Sequence, residues 1–562
     1  MARTVGIGNQ DFATIIENNL FYVDKTSFIK EWWESFDNTT LITRPRRFGK
    51  TLNLSMLNYF FSVDYADKGY LFEELEIWKY KKFRELQGTY PVIFLSFASV
   101  KTNTFANTRK QICWIISNLY QNYRFLLETD LLSDVEKKQF CSVQDDMDDA
   151  TVCYSLYNLS EYLHRYYGKN VIILLDEYDT PLQESYVYGY WDEFATFTRG
   201  LFNATFKTNP YLERALMTGI TRVSKESIFS DLNHLKVITT TTEKYMTAFG
   251  FTKEEVAAAL VEYNVTEKAE EVKRWYDGFT FGSVTDIYNP WSIINFLDSK
   301  RLGAYWSNSS SNLLVSTLLQ TGDITTKEHF QDLINQKPLC CPLDEEIIYS
   351  QLDENENAIW SLLLASGYLK LTNMPCFEDE EPIYCLALTN YEVLRMMRGL
   401  IKGWFGKAST DYNNFVTALL KDDVAYMNTF LNEVSLSIAS SFDSGKKPSE
   451  RTPENFYHGL VLGLIVELSD RYHITSNRES GFGRYDVMLE PLDRSLPAYI
   501  FEFKVMNTAD GEQTLEDTAN TALSQIERKA YATELISKGF QPSQIHKYGF
   551  AFHGKSVLIK RG

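Results

Sequence analysis

Short apolar runs in the first part of the chain constrain its fold more than any other feature. Several of these runs are apolar at successive positions rather than at alternate ones. Strands of this kind suit a parallel sheet that is covered on both faces, because every side chain is then buried. Helical patterns lie between the runs, so the segment predicts an α/β sheet with helices on both faces. The runs are found at 40–43, 90–97, 170–177 and 214–220.

The first run leads directly into a basic turn and a helical pattern. The stretch "TTLITRPRRFGKTLNLSML", residues 39–57, ends like a phosphate-binding loop. In such a loop the backbone N–H groups of the turn, here at Arg47, Phe48 and Gly49, face the phosphates of ATP. Lys50 would reach the β and γ oxygens, and the Thr51 hydroxyl would bind Mg²⁺.

Two residues of this turn depart from the usual phosphate loop. Arg44 stands where the first glycine is expected, and Pro45 lacks an N–H donor. By itself the stretch is also compatible with a solvated basic turn. Its arginines, Arg44, Arg46 and Arg47, could shield phosphate charge or face a partner.

Two later strands would bring further polar groups to the same site. The stretch "NVIILLDEYDTP" ends a buried strand with Asp176, which would hold Mg²⁺ through water, and Glu177, which would polarise the attacking water. The stretch "RALMTGITR" adds Thr218, facing the γ-phosphate or water, and Arg222, stabilising transition-state charge in cis or across a subunit interface. Each element alone could be an ordinary strand end, but the loop and the acidic strand in this order predict an ATP site.

The remaining chain divides into two further regions. From 233 to 405 the pattern is mostly helical, with a helix, a short hairpin and another helix between 362 and 397 that suggest a winged-helix-like module. A polar run at 443–454 precedes a last α/β segment. We therefore expect domains at 1–232, 233–405 and 406–562.

The last segment carries charged groups on strands that are otherwise apolar. "GRYDVMLEP" contains Asp486, and "AYIFEFKV" contains Glu502 and Lys504, which point to the same face because they are two residues apart. Buried charges are costly unless they serve each other or a metal. Asp486 and Glu502 would bind Mg²⁺, and Lys504 would position a metal-bound water and offset phosphate charge. The alternative is a salt bridge between Lys504 and one of the carboxylates at a sheet edge.

Taken together, these motifs resemble a bacterial and archaeal family described as AAA-ATPase-like proteins. The resemblance implies a P-loop ATPase domain joined to a C-terminal domain of the PD-(D/E)XK nuclease superfamily, and "RPRRFGK" followed by Ser or Thr is similar to the family's own form of the loop. The stretches that carry it are "YVDKTSFI", "RPRRFGKTL", "LLDEYDTP", "TGITRVSKESIFSDLNHL", "WYDGFTFG" and "IYNPWS".

The nuclease resemblance implies further site residues. Glu454, at the start of the helix before the strands, would add a metal contact from the acidic position that the superfamily commonly has there, with Glu467 as a less favoured substitute. Gln525 and Tyr531 resemble the Gln and Tyr of the following helix in resolvase-like members, although their separation is wider than the usual QxxxY.

Composition limits the partners and the compartment. A formal net charge of −18 opposes nucleic-acid binding over the whole surface, so any DNA contact would be local. The seven cysteines show neither a disulfide framework nor a zinc spacing. No apolar run is long enough to span a membrane, and we expect a cytoplasmic protein.

These observations favour an ATP-driven switch coupled to a Mg²⁺-dependent nuclease that acts on DNA. One alternative is a signalling NTPase whose C-terminal domain binds nucleic acid or a protein partner without cutting. A second is a nuclease that cleaves RNA or acts in defence against phage or mobile DNA. A homo-oligomer and an unidentified protein partner are both compatible with the sequence.

Overall fold

The described residues of the computed structural model fall into two compact units. One comprises Met1–Ser310 and Cys340–Val393, and the other comprises Ser311–Leu339 and Leu394–Gly562. The expected three-domain boundaries stay predictions. The structure describes residues 2–221, 228–229, 232, 234–307, 315, 318–319, 324–343, 356–372, 376–378, 381–403, 412–442, 461, 465, 468, 471–480, 483–507, 511–553 and 556–562.

A parallel sheet forms the centre of the first unit. Its strands are β1 (Thr39–Thr43), β2 (Val92–Ser96), β3 (Val171–Asp176), β4 (Leu212–Gly219) and β5 (Leu235–Ile238). Their order is β2-β3-β4-β1-β5, with every pair parallel, which confirms the predicted sheet. All residues of β1 and β3 are buried, as expected for strands covered on both faces. Because β4 lies between β1 and β3, the carboxyl ends of these three strands meet at one edge.

Helices cover both faces of this sheet. Local signals set their ends: Asp148 caps α7 by accepting from Thr151 N, and Gly168, at φ 67°, ends it. An aromatic-rich core lies under the first three helices. The helices are α1 (Phe12–Glu17), α2 (Ser27–Glu34), α3 (Lys50–Phe61), α4 (Lys81–Arg84), α5 (Phe105–Asn122), α6 (Asp134–Ser142), α7 (Asp149–Tyr167), α8 (Thr180–Tyr188) and α9 (Trp191–Phe202).

A second core follows the sheet in the same unit. Lys25 of the "YVDKTSFI" stretch is 7% exposed, and its Nζ donates to Glu255 Oε1 at 2.7 Å and to Thr247 O at 2.8 Å. The stretch is therefore structural, since it joins the N-terminal segment to α10. The elements are α10 (Lys253–Glu262), α11 (Ala269–Tyr276), the hairpin β6 (Phe279–Phe281) and β7 (Val284–Ile287), and α12 (Pro290–Ser299).

The next segment contains the predicted helix, hairpin and helix. Strands β9 and β11 pair antiparallel between α14 and α15. Contrary to the expectation from cysteine spacing, Cys340 and Cys385 form a disulfide, because β8 and β11 are neighbours in one sheet. The elements are α13 (Ile324–Ile334), β8 (Leu339–Pro342), α14 (Glu356–Ala365), β9 (Leu369–Leu371), β10 (Cys376–Glu378), β11 (Glu381–Leu388) and α15 (Tyr391–Gly403).

A mixed sheet forms the C-terminal part. Its elements are α16 (Tyr412–Lys421), α17 (Val424–Phe442), β12 (Tyr472–Ser480), β13 (Gly483–Pro491), β14 (Ala498–Val505), α18 (Leu515–Arg528), α19 (Thr533–Ser537), β15 (Ile545–His553) and β16 (Ser556–Arg561). The strand order is β12-β13-β14-β15-β16, and β14 with β15 is the parallel pair. Strands β13 and β14 match the predicted runs, whereas β12 and β16 were not predicted. The helix expected at 456–468 lies mostly outside the described residues.

Among the described helices, none is both long and apolar enough to cross a bilayer.

Candidate functional site

The basic turn joins β1 to α3. Gly49 has φ 82°, in the left-handed region that glycine enters without strain, and Arg47 has φ 64°. The helix begins at Lys50 immediately after the turn. The strand, loop and helix expected for a phosphate site are therefore present.

Lys50 folds back over the loop. It is 5% exposed, and its Nζ donates to Arg44 O at 2.9 Å and to Pro45 O at 3.0 Å. Burial lowers the pKa of Lys50, while the negative charges of Glu177, Asp179 and Asp176 oppose that shift. An ammonium group held only by carbonyl oxygens can exchange them for phosphate oxygens.

Asp176 connects the loop helix to β4. The carboxylate is 1% exposed; its Oδ2 accepts from Thr51 Oγ1 at 2.7 Å and its Oδ1 from Thr218 Oγ1 at 2.6 Å. Burial raises the pKa of Asp176, and the hydrogen bonds from Thr218 and Thr51 oppose that rise. The predicted site residues Thr51 and Thr218 thus both bind Asp176. They can do so because β4, which carries Thr218, lies between β1 and β3 in the sheet.

Glu177 follows β3 with φ 50°, an uncommon backbone conformation for a residue other than glycine. Its Oε2 accepts from Thr180 Oγ1 at 3.0 Å, at the first residue of α8. The side chain therefore rests against its own turn. Such strain clusters at functional positions.

Asp179 is a site residue that the sequence reasoning missed. It is 4% exposed, and its Oδ2 accepts from Ile220 N at 2.8 Å, from Thr221 N at 2.9 Å and from Thr221 Oγ1 at 3.0 Å. A Cβ at Gly219 would lie 2.7 Å from Asp179 Oδ1, so this approach requires glycine. Asp179 thereby joins the end of β3 to the end of β4. The second aspartate in "LLDEYDTP" was its signal.

Two residues of the turn face the protein interior. Arg44 is fully buried; its Nη1 donates to Thr239 O at 2.6 Å, and its guanidinium lies 4.5 Å from the Phe281 ring. Phe48 is 1% exposed, with its ring centroid 4.7 Å from that of Phe279. Arg44 is therefore a packing residue, and of Phe48 only the backbone is available to a ligand.

The C-terminal carboxylates lie on the neighbouring strands β13 and β14. The register pairs Val487, which follows Asp486, with Phe501, which precedes Glu502. Glu502 is 2% exposed, and Asp486 Oδ2 accepts from Phe503 N at 2.6 Å. Adjacent carboxylates on one sheet face suit a divalent cation.

Lys504 lies two residues farther along β14 and is partly exposed. The charge of Lys504 acts on Glu512, a second residue that the sequence reasoning missed. Glu512 accepts from Asn507 N at 3.0 Å and from Thr518 Oγ1 at 2.8 Å. Burial opposes ionisation of Glu512, but these hydrogen bonds outweigh it and its pKa is lowered.

Gln525 and Tyr531 meet despite their wide spacing. Gln525 Nε2 donates to Glu502 Oε1 and also to Tyr531 Oη at 3.3 Å. Ala530, at φ 54°, turns the chain after α18 and brings the buried Tyr531 back to the glutamine. The contact between Gln525 and Tyr531 thus depends on this turn of the chain and not on the QxxxY spacing within one helix.

Three predicted residues lie outside the described residues: Arg222, Glu454 and Glu467. Within the part of the chain that the structure describes, no group of three or more His, Cys, Asp or Glu side chains is arranged to hold a metal. Asp486 and Glu502 supply carboxylate oxygens, which Mg²⁺ binds together with water and phosphate oxygens.

Comparison with known proteins finds a family match in the N-terminal part and another in the C-terminal part of the chain. A protein of Azotobacter chroococcum mcd 1, described as an uncharacterized protein in the vnfD 5' region, is 23% identical over 572 aligned residues that cover 99% of this chain and 98% of the relative. Residues 6–229 match the family described as "Predicted AAA-ATPase", and residues 452–562 match the PD-(D/E)XK nuclease superfamily. The chain therefore joins an AAA-ATPase-like domain to a PD-(D/E)XK nuclease superfamily domain.

Proposed function

We propose that this protein is an ATP-hydrolysing switch coupled to a Mg²⁺-dependent nuclease that acts on DNA. The observation that carries the proposal is the hydrogen-bonded chain from Thr51 through Asp176 to Thr218. This chain begins at Thr51, the residue after Lys50, where the turn leads into α3.

The ATP half rests on groups that are already close together. Lys50 would exchange the loop carbonyls for the β and γ phosphate oxygens, and Thr51 and Asp176 would hold Mg²⁺. The cation, when bound, neutralises phosphate charge. Glu177 leaves Thr180 to orient the attacking water, and Thr218 keeps the Asp176 carboxylate in place. Arg222 is proposed to stabilise transition-state charge.

The nuclease half rests on the carboxylates of the neighbouring strands β13 and β14. Asp486 and Glu502 would hold the cation, with Glu454 as a third ligand; the bound cation lowers the pKa of its water. Gln525 fixes the Glu502 carboxylate through its amide. Lys504 positions the water and offsets phosphate charge on the DNA.

The overall charge supports a second candidate, a signalling NTPase whose C-terminal domain binds nucleic acid or a protein partner without cutting. The net charge of −18 opposes a general affinity for DNA. Binding of Mg²⁺ or Mn²⁺ that Asp486→Asn abolishes favours the nuclease over this alternative.

Parallel assays of the full chain, Lys50→Ala and Glu502→Gln test the proposal. We expect Lys50→Ala to lose ATP binding and hydrolysis, and Glu502→Gln to lose metal-dependent DNA cleavage while keeping ATPase activity. Cleavage that no longer responds to ATP in Lys50→Ala would support coupling. Normal ATP binding in Lys50→Ala refutes the ATP half, and normal cleavage in Glu502→Gln refutes the nuclease half.

A further inference from the structure

The sequence of the turn that we propose to bind phosphate does not by itself favour the backbone conformation that the turn adopts. In "RPRRFG", Arg44 occupies the position of the first glycine of a usual phosphate loop, so Gly49 supplies the conformational freedom of glycine in this turn. Arg47 nevertheless adopts φ 64°. A residue with a Cβ stays in that region when its surroundings hold it there.

Two side-chain donors hold the carbonyl of Arg46. Trp306 Nε1 donates to Arg46 O at 2.9 Å, and Asn289 Nδ2 donates to the same oxygen at a longer 3.4 Å. Both donors are themselves fixed. Trp306 is 5% exposed and its ring packs at a tilt against that of Tyr368, with the centroids 5.3 Å apart. Asn289 Oδ1 caps α12 by accepting from Ser292 N at 3.1 Å.

Neighbouring residues of the turn are anchored to the same region. The Arg47 guanidinium lies 4.5 Å from the Trp291 ring centroid. A Cβ at Gly367 would come within 2.8 Å of Pro45 Cγ, so these chains are in close contact. Together with the burial of Phe48, each residue from 45 to 48 has a partner outside the turn.

The geometry of the peptide unit gives these contacts a directional effect. In a trans peptide the C=O of one residue and the N–H of the next point in opposite directions, and no cis peptide occurs in the described chain. Drawing the Arg46 carbonyl toward Trp306 and Asn289 therefore turns the Arg47 N–H away from them.

We infer that Trp306 and Asn289 are positioning residues for the phosphate loop, holding the Arg46 carbonyl so that the Arg47 N–H stays directed at the phosphates of ATP. These two side chains lie outside the turn and restrain its backbone, which the residues of the turn do not do by themselves. The inference rests on the proposed ATP site and deepens it, because it assigns a role in that site to "IYNPWS".

Variants that remove one donor at a time test the inference. Trp306→Phe keeps an aromatic ring but loses the N–H, and Asn289→Ser keeps an acceptor for the cap of α12 but loses the amide donor. Calorimetric titration of the full chain with ATP and Mg²⁺ should show affinity reduced about five- to tenfold in Trp306→Phe and less in Asn289→Ser, whose bond is longer. Unchanged affinity in both variants overturns the inference.

A matched control separates positioning from general destabilisation. Trp32 is fully buried and its Nε1 donates to Thr40 Oγ1 at 3.3 Å, so Trp32→Phe makes the same change away from the turn. We expect Trp32→Phe to bind ATP like the unmodified chain. An equal loss of affinity in Trp32→Phe and Trp306→Phe overturns the inference.

Fluorine NMR of the 5-fluorotryptophan protein provides a spectroscopic signature. The signal missing from Trp306→Phe identifies Trp306, and saturating ATP with Mg²⁺ should shift it while the Trp32 signal stays. If Trp306→Phe does not fold, Asn289→Ser carries the affinity test. Lys50→Ala is measured alongside. Normal ATP affinity in Lys50→Ala refutes the ATP site itself. Loss of affinity in Lys50→Ala with normal affinity in Trp306→Phe and Asn289→Ser overturns the inference alone.

Discussion

Single hydroxyl and carboxyl groups determine the chemistry available at the proposed ATP site. Thr218 donates to the buried Asp176 carboxylate at 2.6 Å, and this bond favours the ionised form of Asp176 that Mg²⁺ requires. A change of this one hydroxyl therefore alters both the charge and the position of the carboxylate.

Thr218→Val keeps the shape of the side chain and removes the donor. Since burial already raises the pKa of Asp176, losing this bond should raise it further and move the acid limb of the ATPase pH profile to higher pH. We expect kcat to fall about tenfold or more, which corresponds to a rise of ~1.4–3 kcal/mol in the activation free energy. Thr39→Val, in a buried residue of β1 whose hydroxyl bonds Asn38 at 3.1 Å, should leave the profile in place. An unshifted profile in Thr218→Val would contradict this role.

Asp277 is a buried carboxyl outside both sites. Burial first, and then the neighbouring Asp286, raise its pKa from 3.8 to about 6. The folded state therefore binds more protons than the unfolded state between these values, and the free energy of unfolding should fall as pH rises from about 4 to about 6.

Asp277→Asn should remove this pH dependence. The amide oxygen can still accept from Gly278 N, which donates to Asp277 Oδ1 at 2.6 Å. Between pH 4 and pH 7, the free energy of unfolding of the variant should increase relative to that of the unmodified chain by on the order of 1–2 kcal/mol. This is less than the full pKa shift of Asp277 implies, because Asp286 is partly solvated. Urea unfolding across this range measures the difference. Asp286→Asn should give a smaller gain, and parallel curves for the chain and Asp277→Asn would refute the prediction.

At the scale of elements, α17 covers the edge of the C-terminal sheet. Asn428 exchanges two hydrogen bonds with the backbone of Ile559, at 2.9 and 2.7 Å. Asn432 does the same with Val557, at 2.7 and 3.0 Å. The two amides occupy the groups of β16 to which another strand would bind.

Replacing both Asn428 and Asn432 by Ala should expose that edge. We expect a loss of about 2–4 kcal/mol in the free energy of unfolding, from four hydrogen bonds at about 1 kcal/mol or less each, together with self-association at higher concentration. Thr429→Ala on the same helix, which loses only a bond to Ala425 O, is the control. Chemical denaturation and sedimentation velocity measure both effects, and a monomer of unchanged stability would show that the amides do not protect the edge.

For the whole molecule, the division into two compact units predicts how the chain unfolds. The units have separate hydrophobic cores. Calorimetry should resolve two transitions, and ATP with Mg²⁺ at about 100 times Kd should stabilise one of them by about 2.7 kcal/mol. Lys50→Ala should abolish that shift. A single transition that moves as a whole would mean that the two units unfold together.

Local sequence predicted the elements well, for an identifiable reason. Strands β1 and β3 are apolar at successive positions, and Gly49, Lys50 and Thr51 are contiguous, so their signals need no distant partner. Glu502 and Lys504 share a face because alternate residues of any strand do. β12 and β16, by contrast, lack comparably continuous apolar runs and were not predicted.

The sequence by itself determined the parallel sheet, the loop and the acidic strand ends, since burial and dihedral preferences act within a few residues. Only the tertiary structure decided which side chains meet. It set Thr218 against Asp176, Gln525 against Tyr531, and Trp306 on a carbonyl 260 residues away. Such contacts depend on strand order and on packing between distant segments, and neither leaves a periodic pattern in the chain.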